Sequence, residues 1–189
     1  MKLALAILLP ALAGCASTPP APEIVSVAAW GGSTAASDAP PQRISHITIH
    51  HQGETWQEGS DVQAYLRRLQ QWSRLTKRWA DIPYHYVIAQ DGRIYSARPL
   101  EQAGDTNTEY DPRGHALVML VGNFEVQQPT PAQLKAAVEL TAWLARLHHI
   151  GLEAIASHKD HSSQTLCPGK NLYALMESGW FKAEVGKRL

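Results

Sequence analysis

Three residues carry the chemistry this sequence offers most plainly. His158 sits in Ser157-His158-Lys159-Asp160, Cys167 in Thr165-Leu166-Cys167-Pro168-Gly169, and His50 ends the alternating run Ile44-Ser45-His46-Ile47-Thr48-Ile49-His50. Two imidazoles and one thiolate make a three-ligand zinc set. Three protein ligands leave a fourth tetrahedral position open for water, as in a catalytic rather than a structural zinc site. If these side chains converge, the chemistry they point to is hydrolysis.

Spacing separates ligands from bystanders. Eight residues lie between His158 and Cys167, more than the short spacing of a zinc finger. His161 is the rival ligand, since His158-x-x-His161 would suit a helical turn. Ser162, Ser163, Pro168 and Gly169 argue against a helix there, which leaves His161 as a solvated loop residue. His51 follows His50 directly, and adjacent strand residues point to opposite faces. His50 then shares a face with Thr48 and His46, and His51 with Ile47 and Ile49. His51 is either a support behind a ligand or a hydrogen-bonded core residue. His85, His115, His148 and His149 have no partner visible in sequence and are expected at ordinary surface or core positions.

These residues need a scaffold, and the hydrophobic pattern supplies one. Residues 44–50 alternate as a strand. Ser60-Asp61-Val62-Gln63 has the form of a capping box. It opens a helix whose stripe would be Val62, Tyr65, Leu66, Leu69, Trp72, Leu75 and Trp79. Residues 84–89 and 93–97 read as two strands around an Asp91-Gly92 turn. Residues 99–114 read as loop. Residues 116–121 form a continuous apolar run, expected as a central strand covered on both faces. Thr130-Pro131-Ala132-Gln133 starts a second long helix, with Leu134, Ala137, Val138, Thr141, Leu144 and Ala145 inward and Gly151 at its end. Residues 155–157 are a short strand leading to His158, and 171–177 a last helix. The fold class is α/β: one domain, a central mixed sheet of about five strands flanked by helices, with the zinc site at the strand ends.

Four segments, in order, carry a resemblance. Ile49-His50-His51, Ile82-Pro83-Tyr84-His85-Tyr86-Val87-Ile88, Val121-Gly122-Asn123-Phe124-Glu125, and Ser157-His158-Lys159-Asp160 with Thr165-Leu166-Cys167-Pro168-Gly169 resemble the type-2 N-acetylmuramoyl-L-alanine amidases. That family includes the peptidoglycan recognition proteins and the amidase-type phage lysozymes. The Val27-Ala28-Ala29-Trp30-Gly31 segment is also similar to the entry of the recognition proteins, and the likeness runs roughly from Val25 to Leu175. The resemblance implies zinc-dependent hydrolysis of the amide between N-acetylmuramic acid and L-alanine, in peptidoglycan or muropeptides. It implies His50, His158 and Cys167 as zinc ligands, Tyr84 beside the zinc-bound water, and Thr165 two positions before the Cys, where relatives carry Lys or Thr. Three departures stand out. The loop from His158 to Cys167 is one residue longer than in recognition proteins. Ala103-Gly104-Asp105 replaces a Gly-His pair, putting Asp105 where relatives carry a substrate-contacting His. Residues 117–121 hold no carboxylate to act as a base, which shifts weight to Tyr84. The alternative is a peptidoglycan-binding protein of the same fold that does not cut. A zinc-carrying transport protein would instead show His clustered in a flexible tract.

Composition sets the compartment. The chain has 189 residues, enough for one domain with a full core. Lys+Arg and Asp+Glu are both 17, which argues against a nucleic-acid binder. Leu3 to Ala13 is an apolar run of eleven residues, short of the about 20 that span a bilayer. It ends in Leu12-Ala13-Gly14-Cys15, which resembles the lipobox of bacterial lipoproteins. Residues 1–14 are then a signal peptide, 15–41 a lipidated Cys15 with tether and N-terminal segment, and 42–189 the zinc amidase domain. Ala16 in place of Asp points to the outer membrane, with the chain facing the periplasm and held to the membrane by its lipid. Lipidation of Cys15 leaves Cys167 without a disulfide partner in an oxidising compartment, and metal ligation accounts for it. Replacing Cys15 with Ala should abolish acylation and release the protein from the membrane fraction. Acyl chains still present on Cys15→Ala, by mass spectrometry, would refute the lipobox.

Overall fold

The computed structural model describes residues 20–36 and 39–189, so Cys15 and the signal segment lie outside the described residues. The strands are β1 Ile24–Val25, β2 His46–His51, β3 Tyr86–Ile88, β4 Ile94–Ser96, β5 His115–Leu120 and β6 Ile155–Ser157. The helices are α1 Val62–Leu75, α2 Pro131–His148, α3 His158–His161, α4 Lys170–Glu177 and α5 Trp180–Gly186. The six strands form one sheet in the order β1-β4-β3-β5-β2-β6. Only the β3–β4 hairpin is antiparallel; β1 with β4, β3 with β5, β5 with β2 and β2 with β6 are parallel. The expectation of about five strands falls one short. The added strand is β1, two residues long and carrying no periodicity to read.

Every residue of β5 is buried, as its unbroken apolar run predicts for a strand covered on both faces. On one face Ile47, Ile49, Val118 and Leu120 pack with Ala137, Leu140 and Leu144 of α2. On the other, Val87, Met119 and Val121 pack with Val62 and Leu66 of α1 and with Trp30. His50 lies in register with Met119, and Thr48 with Leu117. The odd side of β2 therefore belongs to α2, and His50 emerges on the α1 side.

The helix termini correct parts of the sequence reading. Asp61, not Ser60, caps α1, accepting from the backbone N–H of Gln63 at 2.8 Å and of Ala64 at 3.1 Å. The buried face of α1 is also rotated. Gln70 and Ser73 are buried, whereas Trp72 and Leu75 are 44% and 60% exposed. Gln70 is accommodated because its amide bonds Ser33 O and Asp81 Oδ1, both at 2.8 Å. Trp79 lies beyond α1 and meets Trp72 edge to face. The Thr130–Gln133 capping box of α2 is present, but the helix ends at His149, in the left-handed region with φ 56°, ahead of Gly151. Helix α5 follows the helix expected to be the last.

Among the described residues upstream of Gln42, some are integral to the packing. Trp30 is fully buried, and its indole Nε1 donates to Ser96 O at 2.7 Å. Trp30→Ala should lower stability by about 3–5 kcal/mol, measured by urea unfolding of the whole chain. A loss below about 1 kcal/mol would mean that this segment merely lies on the surface.

Candidate metal centre and cleft

His50 comes from the end of β2, His158 from the first position of α3 just after β6, and Cys167 from the loop before α4. Their ligand atoms lie within 4.8 Å of one another, and all three residues are buried. His50 Nδ1 is 3.6 Å from Cys167 Sγ. Tetrahedral bonds of about 2.05 Å to nitrogen and about 2.3 Å to sulfur place those atoms about 3.6 Å apart. The pair is thus already spaced as two ligands of one ion. His50 Nε2 is buried without a hydrogen-bond partner among the described residues.

Electrostatics suit the same role. Burial, and then His158, hold the His50 imidazole well below its ordinary pKa. Burial, and then His161, lower His158 to about 4. Both rings are neutral near pH 7 and have the lone pair a metal requires. Burial pushes the Cys167 thiol up to about 12, opposed by the His51 backbone N–H, which donates to Sγ at 3.3 Å. A divalent cation supplies what this sulfur needs to ionise.

The neighbouring residues sort as follows. His51 Nδ1 accepts from Phe124 N–H at 3.2 Å. It is a hydrogen-bonded buried residue whose main chain supports the ligand sulfur. His161 is in a helical turn after all. The Asp160 carboxylate accepts from both the N–H and the hydroxyl of Ser157, at 2.7 and 2.8 Å, and the single turn closes before Ser162 and Ser163. His161 is also half-buried rather than fully solvated; it stacks on Tyr110 and meets His115 edge-on, with centroids 5.4 and 4.9 Å apart. His115 is bonded to Thr48 Oγ1 at 2.8 Å. His85 accepts from Leu117 N–H and contacts Gln102 O, each at 2.9 Å. Both match the ordinary core positions expected of them.

The His50, His158 and Cys167 cluster opens into a cleft of about 320 Å³ lined by Tyr84, Asp105, Thr106, Thr108 and Thr165 among others. Tyr84 lies just ahead of β3, its ring centroid 5.2 Å from that of His50. Burial, and then Cys167, push its hydroxyl well above the ordinary range, so it stays protonated as a donor. Thr165 Oγ1 accepts from Cys167 N–H at 3.1 Å, which keeps the hydroxyl hydrogen available to a ligand. Asp105 is bound by the buried Arg98 at 2.5 Å. The same guanidinium holds Ile82 O at 2.8 Å and Asp81 O at 2.7 Å, and also reaches Ala103 O. Gly104 lets the same loop pack close to its neighbours: a Cβ there would stand 2.3 Å from Leu117 Cδ1 and 2.6 Å from Pro83 O. Sequence reasoning missed Thr106 and Thr108, which bond His158; single threonines in a patternless loop give no signal.

Peptidoglycan-recognition protein SC2 of Drosophila simulans is 29% identical over 171 residues, covering 89% of this chain and 92% of that protein. The complex of peptidoglycan recognition proteins LCa and LCx with tracheal cytotoxin has a chain 27% identical, with TM-score 0.70, covering 82% of this chain and 94% of that one. The endolysin N-acetylmuramoyl-L-alanine amidase LysCS of Clostridium intestinale is 27% identical, with TM-score 0.62 and coverage of 80% and 90%. The Amidase_2 family, described as N-acetylmuramoyl-L-alanine amidase, matches residues 40–170, and with more than half its length in that match the chain belongs to this family.

Proposed function

We propose that this chain is a zinc-dependent N-acetylmuramoyl-L-alanine amidase, hydrolysing the amide between N-acetylmuramic acid and L-alanine in peptidoglycan or muropeptides. The observation that carries the reading is the convergence of His50, His158 and Cys167 at ligand spacing. Two relatives support the substrate class: one is an endolysin amidase, and another holds tracheal cytotoxin, a muropeptide. Zinc in this set supplies Lewis acidity toward water and the amide carbonyl. The protein's own groups do the rest. Tyr84 donates its hydroxyl hydrogen to the carbonyl oxygen as negative charge grows there, and the buried setting strengthens that bond. Thr165, which also lines the cleft, offers a second donor. The C–N bond then breaks, and the L-alanine amine takes a proton that originates in the attacking water. Anchored through Cys15, the enzyme would work at the outer membrane facing the periplasm.

Zinc-loaded protein incubated with purified muropeptides should release peptides beginning with L-alanine, seen by mass spectrometry. Hydrolysis that survives a zinc chelator, or an unimpaired Cys167→Ala, would sink the zinc mechanism. Binding without product would favour the non-cutting alternative. Tyr84→Phe should lower kcat by about 10²–10³ with zinc content unchanged; a loss under about threefold removes Tyr84 from the reaction.

The charge states make a further prediction. Near pH 6 both histidines are already neutral and the thiol still holds its proton. Zinc uptake at about that pH should release about one proton per ion, measured by calorimetry in buffers of different ionisation enthalpy. Release of about two or three would mean that the histidines start out charged.

A further inference from the structure

Two threonines of the 99–114 loop lie against His158, and the amide-cleaving residues make no use of them. Thr108 Oγ1 is 2.8 Å from His158 Nε2, and Thr106 Oγ1 is 3.4 Å from the same nitrogen. The two hydroxyl oxygens are 2.8 Å apart, and Thr108 N–H donates to Thr106 Oγ1 at 3.1 Å. Thr106 is half-buried and lines the cleft beside His158 and Thr165.

A hydroxyl has one hydrogen to give and two lone pairs to receive, so these contacts constrain one another. Thr108 engages Nε2 of His158, which leaves Nδ1 as the nitrogen available to a metal. A neutral imidazole that gives its Nδ1 lone pair to an ion carries its proton on Nε2. That N–H donates to Thr108 Oγ1. Either hydroxyl of the pair can donate to the other, since Thr108 keeps a second lone pair as well as its hydrogen. In the arrangement where Thr108 donates, Thr106 Oγ1 receives both that hydrogen and the Thr108 N–H, and its own hydrogen is left for the open side, the cleft.

We propose that Thr108 and Thr106 form a one-way hydrogen-bond chain. In it Thr108 fixes His158 as an Nδ1 metal ligand, and Thr106 is committed to donate to an acceptor oxygen of the substrate. Thr108 is a positioning residue; Thr106 contacts substrate. This rests on the zinc reading above and adds to it a selection for a substrate carbonyl or carboxylate oxygen at one point of the cleft. A substrate N–H placed there would meet a donor and be rejected.

The test uses the full chain and Zn²⁺. Thr108→Val keeps the shape and removes the acceptor. Its zinc affinity, by competition with a chromophoric chelator, should fall about 10- to 100-fold, and Thr108→Ser should restore it. Thermal unfolding of the metal-free forms checks that Thr108→Val is folded. Thr106→Val should leave zinc affinity near that of the parent and weaken muropeptide binding about 2- to 12-fold. That loss is read as KM at steady kcat, or as Kd if the chain binds without cutting. Thr106→Ser should bind as the parent does. Parent protein that takes up no zinc would overturn the zinc reading and this inference together. Parent protein that takes up zinc no more tightly than Thr108→Val would overturn the chain alone. Unchanged muropeptide affinity in Thr106→Val would overturn the donor role.

Discussion

The closure of Cys167 onto β2 is the contact on which the site depends. The two segments are 117 residues apart in sequence, yet Sγ takes the His51 N–H and lies 3.6 Å from His50 Nδ1. Backbone bonds hold the loop there. Lys159 N–H donates to Cys167 O at 2.8 Å, and Asn171 N–H to Phe124 O at 3.0 Å. Gly169 lets the chain pass so close to Phe124 that a Cβ would stand 2.5 Å from its carbonyl carbon; its φ of +85° also favours glycine. A longer side chain there would push the loop, and the sulfur with it, away from the two imidazoles.

Sheet order sets up the rest. With β2 between β5 and β6, the residues that end β2 and follow β6 emerge side by side, which brings His50 to His158. Tyr84 reaches the same point across β5. Its position is governed by the carbonyls just before it, Asp81 and Ile82, both held by the buried Arg98. An unpaired guanidinium in such a place would be very costly. Its bonds to three carbonyls and to Asp105 satisfy it, and they also fix the wall of the cleft. The cationic side chain at the base is thus a spacer that keeps Tyr84 facing His50, and Asp105 is its counterion on the cleft side.

Much of this was legible wherever one physical rule acted alone. Period-two alternation located β2 and, by parity, separated His50 from His51. The unbroken apolar run of β5 announced a strand covered on both faces, and Thr130 to Gln133 announced the start of α2. Legibility failed where distant partners override a local pattern. Gln70 and Ser73 face inward because Ser33 and Asp81 wait for Gln70, and that displaces Trp72 from the stripe a helical wheel assigns it. Strand β1 is too short to show a period. The turn of α3 is closed by Asp160 and Ser157, so the serines beyond it never oppose it. Thr106 and Thr108 matter only through the loop that folds over His158, and no spacing rule encodes that fold.

Under the proposed zinc reading, the donor set suits hydrolysis better than simple storage of an ion. Two neutral imidazoles and one thiolate leave a bound divalent cation with one net positive charge inside a buried cleft. A second thiolate in place of either histidine would cancel it. Charge in a setting of low dielectric acts strongly over a few ångströms, and an amide oxygen under attack gains about one negative charge. In the proposed amidase reaction that residual charge would match what develops, with Tyr84 and Thr165 adding neutral donors that cost no further charge burial. Neutral imidazoles would then serve the proposed chemistry. The burial that lowers the pKa of His50 and His158 keeps their lone pairs free for the metal, and the thiolate alone sets how much of its charge remains for the substrate.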